Sequence, residues 1–168
     1  MLSVIIPAYK ATKYIDECIA SIKGDCEILI GVDACEETYS HIKHLENVYY
    51  FKKNVGPYVI KNTLVDEAKY DNILFFDSDD IMVPGTIERI IEALKSKDYV
   101  KLSYIDFINK PLLSGIVYSN AVIGIKKHLI KSINGFYPWR CSADTELTYR
   151  LEHNKFSCKT IPDVCYYR

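Results

Sequence analysis

The sequence predicts an α/β domain: a mostly parallel central sheet flanked by helices, with a small mixed part toward the C-terminus. Three observations predict it. Through residue 76, short apolar runs of strand length alternate with stretches of helical periodicity, the pattern of right-handed β-α-β crossovers. The strand-like runs are apolar almost throughout, as in "SVII" and "ILFF", which suits strands covered on both faces. A length of 168 residues, with 49% hydrophobic and 26% charged side chains, suits one domain, 1–168, with a proper core.

The elements follow in order. "LSVIIPAY" (2–9) reads as a buried strand ended by Pro7. "ATKYIDECIASIKG" (11–24) places Tyr14, Ile15, Cys18, Ile19 and Ile22 at helical spacing, with Thr12 as N-cap and Gly24 as the stop. "EILIGVDA" (27–34) is a second buried strand ending in Asp33, "ETYSHIKHLE" a short helix, and "NVYYF" (47–51) a third strand. After the turn "KKNVG", Pro57 opens a helix running to about Lys69, and "NILFF" (72–76) is the fourth strand. Beyond it, Pro84 opens a helix over about 84–96, and "DYVKLSYIDFI" (98–108) alternates like a half-exposed strand. "GIVYSNAVIGI" is another strand, followed by a short helix near 126–132. "NGFYPWRCSADTEL" is a loop entering a helix from about 143, and "FSCKTIPDVCYYR" gives one or two closing strands.

Composition excludes several classes. A net charge of -1 argues against a general nucleic-acid binder, which carries a basic surplus. The six cysteines (18, 26, 35, 141, 158 and 165) form no CxxC pair and no Cys/His cluster of zinc spacing. They are expected as free thiols in a reducing, cytoplasmic compartment, because "MLSVIIPAYK" has no secretory leader. No apolar run approaches the roughly 20 residues of a membrane-spanning helix. His41, His44, His128 and His153 are read as surface or helix-end residues, and Lys126, Lys127 and Lys131 as a solvated face.

Chemistry concentrates where the strands end. Open α/β sheets bind ligands beyond the carboxyl ends of their strands, and Pro7–Tyr9, Asp33 and Asp77–Asp80 all fall there. Asp77, Asp79 and Asp80 lie within four positions, and two carboxylates about 4 Å apart repel by roughly 4 kcal/mol at an effective dielectric near 20. Two readings meet that repulsion. The acids form a solvated turn capping the next helix, or they hold a divalent cation shared with substrate phosphate oxygens.

Four motifs, in order along nearly the whole chain, carry a resemblance. They are "SVIIPAYKATKYIDECIASI", "EILIGVDACEET", "NVGPYVIKNTLVDEAKYDNILFFDSDD" and "NGFYPWRCSADTEL". Together they resemble glycosyltransferase family two, with its strand–Pro–x–Tyr–Asn opening, Asp-Asp-Gly-Ser strand end, Asn-x-Gly…Arg-Asn…Asp-x-Asp-Asp series and Gly-Gly-Phe…Glu-Asp block. The resemblance implies a Rossmann-like GT-A fold, in which 1–80 binds the nucleotide and 81–168 the acceptor. It implies transfer of a sugar, with inversion, from a nucleotide donor, usually UDP-linked, to a saccharide or glycoconjugate hydroxyl.

Residue by residue, it implies that Pro7 and Tyr9 lie against the nucleobase, that Asp33 bonds the base or ribose, and that Asp79 faces the ribose and diphosphate. Lys61 stands where the family has Arg and reaches toward the diphosphate. Asp80, with Asp77 and Asp79, ligates Mn²⁺ or Mg²⁺. Asp144 is the general base, against its other reading as a helix first-turn acid behind a Ser142 cap. From their place just before that helix, Trp139 and Arg140 are read as a platform for the sugar or acceptor, or, for the loop tryptophan, as a satellite-core residue. Glu146, within it, is read either as sharing the acceptor contact or as a solvated helix residue.

The sequence departs from the family pattern at three places: Lys10 replaces Asn, "DACEE" replaces Asp-Gly-Ser-Thr, and Ala143 replaces Glu. Family members are expected to continue where this chain ends at "VCYYR", which fits a minimal enzyme, an excised catalytic domain, or another domain or subunit completing that side. Acceptor and donor choice is assigned to loops around 103–118 and 135–143. Two rival readings stand beside this one: a non-catalytic module binding a nucleotide or glycan, and a metal-dependent phosphatase with an Asp-x-Asp nucleophile.

Overall fold

The computed structural model describes residues 1–105 and 117–168; most of the 103–118 loop named above lies outside them. The described residues form an eight-stranded sheet in the order β3-β2-β1-β4-β7-β6-β8-β5. The strands are β1 (Leu2–Ala8), β2 (Cys26–Asp33), β3 (Val48–Phe51), β4 (Asn72–Phe75), β5 (Ile81–Met82), β6 (Tyr99–Ile105), β7 (Val117–Lys126) and β8 (Cys158–Tyr167). The helices are α1 (Ile15–Ser21), α2 (Glu36–Ile42), α3 (Pro57–Glu67), α4 (Thr86–Leu94), α5 (Lys127–Ser132) and α6 (Ala143–His153). β3, β2, β1 and β4 are parallel neighbours, with Ile5 opposite Leu29 and Val4 opposite Leu74. The other half is mixed: β7 runs antiparallel to β4 and β6, while β8 runs parallel to β6.

The unbroken apolar runs have a direct cause. Side chains along a strand alternate between faces, and here both faces are covered. Val4, Ile6, Leu74 and Phe76 enter one core layer with Ile15 of α1 and Ile87 and Ile90 of α4. Ile5, Leu29, Ile73 and Phe75 enter the other with Ile60 and Leu64 of α3 and Leu147 and Leu151 of α6. Helix α3 sits so close to β2 that a Cβ added at Gly31 would meet Ile60 Cγ2 at 2.2 Å.

Three local expectations are corrected. Thr12 does not cap α1; the preceding turn is closed instead by the Ala11 carbonyl, which accepts from the Tyr14 and Ile15 amides at 2.9 Å. The Thr38 hydroxyl holds that turn by accepting from the Ala11 amide at 3.0 Å. The helix after Pro84 starts at Thr86, because Ile81 and Met82 first pair with Tyr167 and Tyr166 of β8 and Gly85 turns at φ 81°. β6 is not half exposed: it lies between β7 and β8, and Tyr99, Val100, Leu102 and Ser103 are all buried.

All four histidines are exposed, as expected, and His41 pairs with Asp16 at 2.7 Å. The three lysines do not make a simple solvated face. Lys126 pairs with Asp98, Lys131 pairs with Asp66, and Lys127 donates to the Ala68 carbonyl. All six cysteines are unpaired. Among the described residues, no helix is long and apolar enough to cross a membrane.

Gly31→Ala drives a methyl into Ile60 across a packed layer. The expected cost is about 1–3 kcal/mol from overpacking, read as a lower urea midpoint with an unchanged denaturant slope.

Candidate active site

At the carboxyl ends of β1, β2 and β4, a crevice of about 220 Å³ is lined by Pro7, Ala8, Tyr9, Asp33, Pro57, Ile60, Asp77, Ser78 and Asp79. The structure thus gathers Pro7, Tyr9, Asp33, Asp77 and Asp79, as the sequence predicts. The Tyr9 ring is 51% exposed at the mouth, free to stack on a planar ligand. Asp33 is buried, and its two carboxylate oxygens accept from the Val55 amide at 2.8 Å and the Gly56 amide at 3.0 Å. It therefore fastens the loop that launches α3, so that one wall of the crevice is built by Asp33 itself.

Two departures from the family pattern leave the backbone intact. Lys10 and Ala34 both sit in the left-handed region, at φ 54° and 52°. Gly adopts that conformation without strain, and Asn at lower cost than most residues. Here Lys and Ala adopt it. Ala143, where the pattern has Glu, is fully buried beside Tyr58 and Phe136 in the core layer under α6.

The acids follow the end of β4 as a tight turn, with the Asp80 amide donating to the Asp77 carbonyl at 3.3 Å. Lys61 of α3 is 2% exposed and donates to Asp77 Oδ1 at 3.2 Å. Its ammonium lies 5.8, 5.9 and 5.8 Å from the ring centroids of Tyr58, Phe75 and Phe136. Lys61 is thus a caged counter-ion to the first acid, and it reaches the crevice only through Asp77.

Asp80 is 2% exposed, and its Oδ1 has no hydrogen-bond partner. Burial pushes its carboxyl up to about 8, with Asp77 and Asp79 adding to the shift and Arg168 and Lys61 opposing it. Arg168 is a residue that sequence reasoning missed. Burial works against its charge, but Asp80 and Asp77 hold its guanidinium above the ordinary range. The Ile81–Tyr167 pairing brings it there; nothing in "CYYR" signals that pairing.

A divalent cation fits this corner. The described residues contain no cluster of three His, Cys, Asp or Glu groups able to hold a metal by themselves. Mg²⁺ and its kin, however, need only one or two carboxylates when substrate phosphates supply the rest. Asp80 offers a buried oxygen lacking a partner, and exposed Asp79 adjoins it.

Asp144 lies in the first turn of α6. Ser142 occupies the N-cap position at φ 61°, but its side chain makes no capping bond. Asp144 Oδ1 accepts from the Tyr58 hydroxyl at 3.0 Å, so α3 carries both the residue that holds Asp144 and the lysine that holds Asp77. Tyr58 is the second residue sequence reasoning missed. Glu146 has both oxygens on Arg150, at 2.6 and 2.8 Å, and Arg150 also grips the Gly135 carbonyl. Arg140 bonds the side chain and carbonyl of Asn54. Trp139 is 49% exposed, with its ring 5.5 Å from that of Tyr137.

The sequence profile of glycosyl transferase family 2 matches residues 3–148, and the chain belongs to that family. An uncharacterised glycosyltransferase of Rickettsia conorii is 28% identical over 141 residues, covering 72% of this chain and 23% of the relative. Among solved structures, S. aureus TarS 1-349 in complex with UDP-GlcNAc superposes with a TM-score of 0.84 at 20% identity, covering 99% of this chain and 58% of that one. The mannosyltransferase PcManGT from Pyrobaculum calidifontis, in complex with GDP-Man and Mn²⁺, gives 0.81 at 15% identity, with 99% and 56% covered. The fold is therefore GT-A, and the chain spans less than two thirds of the proteins it matches.

Asp80 makes a stability prediction with a definite sign. Its folded-state carboxyl stands at about 8 against an ordinary 3.8, so the folded state holds the proton more tightly. Stability is then greatest at acid pH and falls as pH rises toward 8. Asp80→Asn removes the buried charge and is expected to stabilise the metal-free protein at pH 8 by about 1–3 kcal/mol. The melting temperature should rise by several degrees, and the gain should vanish near pH 4.

Proposed function

We propose that the chain moves a sugar from a nucleotide-linked donor, most directly a UDP-sugar, to an acceptor hydroxyl with inversion, with assistance from Mn²⁺ or Mg²⁺. One observation carries this reading: a carboxylate held by Tyr58 and an acid corner held by Lys61 are fixed to the same helix, α3, whose Pro57 and Ile60 line the crevice with Asp77 and Asp79. The two structural neighbours are complexes with UDP-GlcNAc and with GDP-Man and Mn²⁺, which supports the donor class. The six unpaired thiols suit a cytoplasmic location.

In this reading the nucleobase stacks on Tyr9 between Pro7 and the Asp33 wall. The ribose and diphosphate run past Asp79 toward Asp80, with Arg168 as a further positive charge. Asp79 and Asp80, with Asp77 behind them, are the residues that would hold the cation. Bound there, it would offset the charge growing on the departing diphosphate.

Asp144 takes the acceptor's proton as the new C–O bond forms to the anomeric carbon. The old C–O bond breaks, and its electron pair leaves with the nucleoside diphosphate. The acceptor rests against Trp139. Arg140 and Glu146 shape that side through Asn54 and Arg150, to which they are bonded.

Family membership disfavours the phosphatase reading. A thermal-shift screen of nucleotide sugars with and without Mn²⁺ tests the donor assignment, since the true donor raises the melting temperature only with its cation. Asp144→Asn is expected to retain UDP–Mn²⁺ binding and lose at least 100-fold in transfer. Asp80→Asn should weaken Mn²⁺-dependent UDP binding at least tenfold by calorimetry. Binding of UDP with no turnover of any UDP-sugar would mark a non-catalytic module instead.

A further inference from the structure

We propose that Tyr58 is a positioning residue for Asp144, whose hydroxyl fixes the carboxylate so that its second oxygen faces the acceptor proton. The inference rests on the transferase reading of the site. Three facts of geometry carry it. The Tyr58 hydroxyl lies 3.0 Å from Asp144 Oδ1, joining α3 to α6 across 86 residues of sequence. The Tyr58 side chain is 8% exposed and its ring stacks on Phe136 at 5.4 Å, so the hydroxyl has little freedom to point elsewhere. Among the described residues Asp144 Oδ2 has no hydrogen-bond partner, and Asp144 is only half-buried.

The neighbouring charges are engaged elsewhere. Arg140 is on Asn54, Glu146 on Arg150 and Lys61 on Asp77. Tyr58 is thus the group left to orient this carboxylate. Burial and then the charge of Asp144 push the Tyr58 hydroxyl up to about 12. It therefore keeps its proton at working pH and donates a hydrogen bond to the Asp144 carboxylate. During transfer the acceptor's proton passes to Oδ2, while the Tyr58 proton stays on its oxygen throughout.

The same helix turn links this hydroxyl to the acid corner. The Tyr58 ring is 5.8 Å from the Lys61 ammonium, which bonds Asp77. Base and donor site are therefore set in one rigid frame, so the distance between Oδ2 and the anomeric carbon is fixed before substrate arrives. Such alignment is where positioned groups gain much of their advantage.

The test uses the intact chain and a panel of UDP-GlcNAc, UDP-glucose, UDP-galactose and UDP-GalNAc with Mn²⁺, following UDP release with water as acceptor. Tyr58→Phe keeps the ring on Phe136 and removes only the hydroxyl. The expected result is about a tenfold fall in kcat, a fraction of what a positioned base supplies, with donor KM and UDP–Mn²⁺ affinity within twofold. The acid limb of the kcat–pH profile should also move upward, because the ionised carboxylate has lost a donor. In the Asp144→Asn background the same substitution should change neither residual kcat nor melting temperature further.

A wild-type kcat and pH profile in Tyr58→Phe, with the wild type turning over, overturns this inference and leaves the transferase reading standing. Equal and additive losses in both backgrounds overturn it as well, since they mark a packing role. Absence of turnover by the wild type on every donor overturns the transferase reading and this inference with it.

Discussion

The site depends on a buried ammonium. β4 carries an apolar run out of the core and ends it in three acids, and Lys61 is the cation built in to meet them. It is held almost free of solvent among Tyr58, Phe75 and Phe136, within bonding distance of Asp77. Removing one partner of such a pair leaves a charge without compensation, the costly outcome. The three rings add a favourable quadrupole to the cage. Because Lys61 sits on α3, the cage also fixes the register of α3 against β4. α3 also carries Tyr58 in its first turn and Asn62, which clamps the Phe136 amide and carbonyl, while Ile60 and Leu64 pack the same helix onto the sheet.

One cation does not balance three acids. Arg168 adds a second, arriving from the far edge of the sheet through β8 and β5. Asp80 still keeps an oxygen with no partner. The corner therefore carries uncompensated negative charge that a bound cation would offset, at some expense to the stability of the empty protein. This is the usual relation between a preorganised electrostatic site and the fold that holds it.

The half of the fold built from local units was legible in the sequence. From β1 to β4 each strand is followed by the helix that covers it, so periodicity alone orders the elements, and Pro7, Tyr9, Asp33, Asp77 and Asp79 fall at one rim. The other half was less legible because its pairings are distant. β7 enters between β4 and β6, and β5 is two residues long and exists only by pairing with β8. Arg168 was hidden for that reason. Tyr58 was hidden for another: three positions before Lys61 on a buried helix face, a tyrosine reads as core, and its ring does pack there. Only the placement of α6 shows where the hydroxyl points.

The departures from the family pattern bear on whether the site can work, and the backbone answers for two of them. Had Lys10 and Ala34 relaxed to ordinary negative φ, the chain after β1 and β2 would turn differently and the crevice between those ends would not close as it does. Both residues instead hold φ above 50°, a strained choice for a side chain with a Cβ. The surroundings must impose it. Beside Lys10, the Ala11 amide is bound by the Thr38 hydroxyl; at Ala34, the amide donates to the Phe51 carbonyl at 2.9 Å, while neighbouring Asp33 grips the α3 loop. The turns are thus fixed by tertiary contacts rather than by residues that favour the left-handed region. Ala143 stands beside Asp144 where the family pattern has a carboxylate, and fills a buried position with a small apolar group. This leaves Asp144 as the acid of α6 that meets α3 through Tyr58.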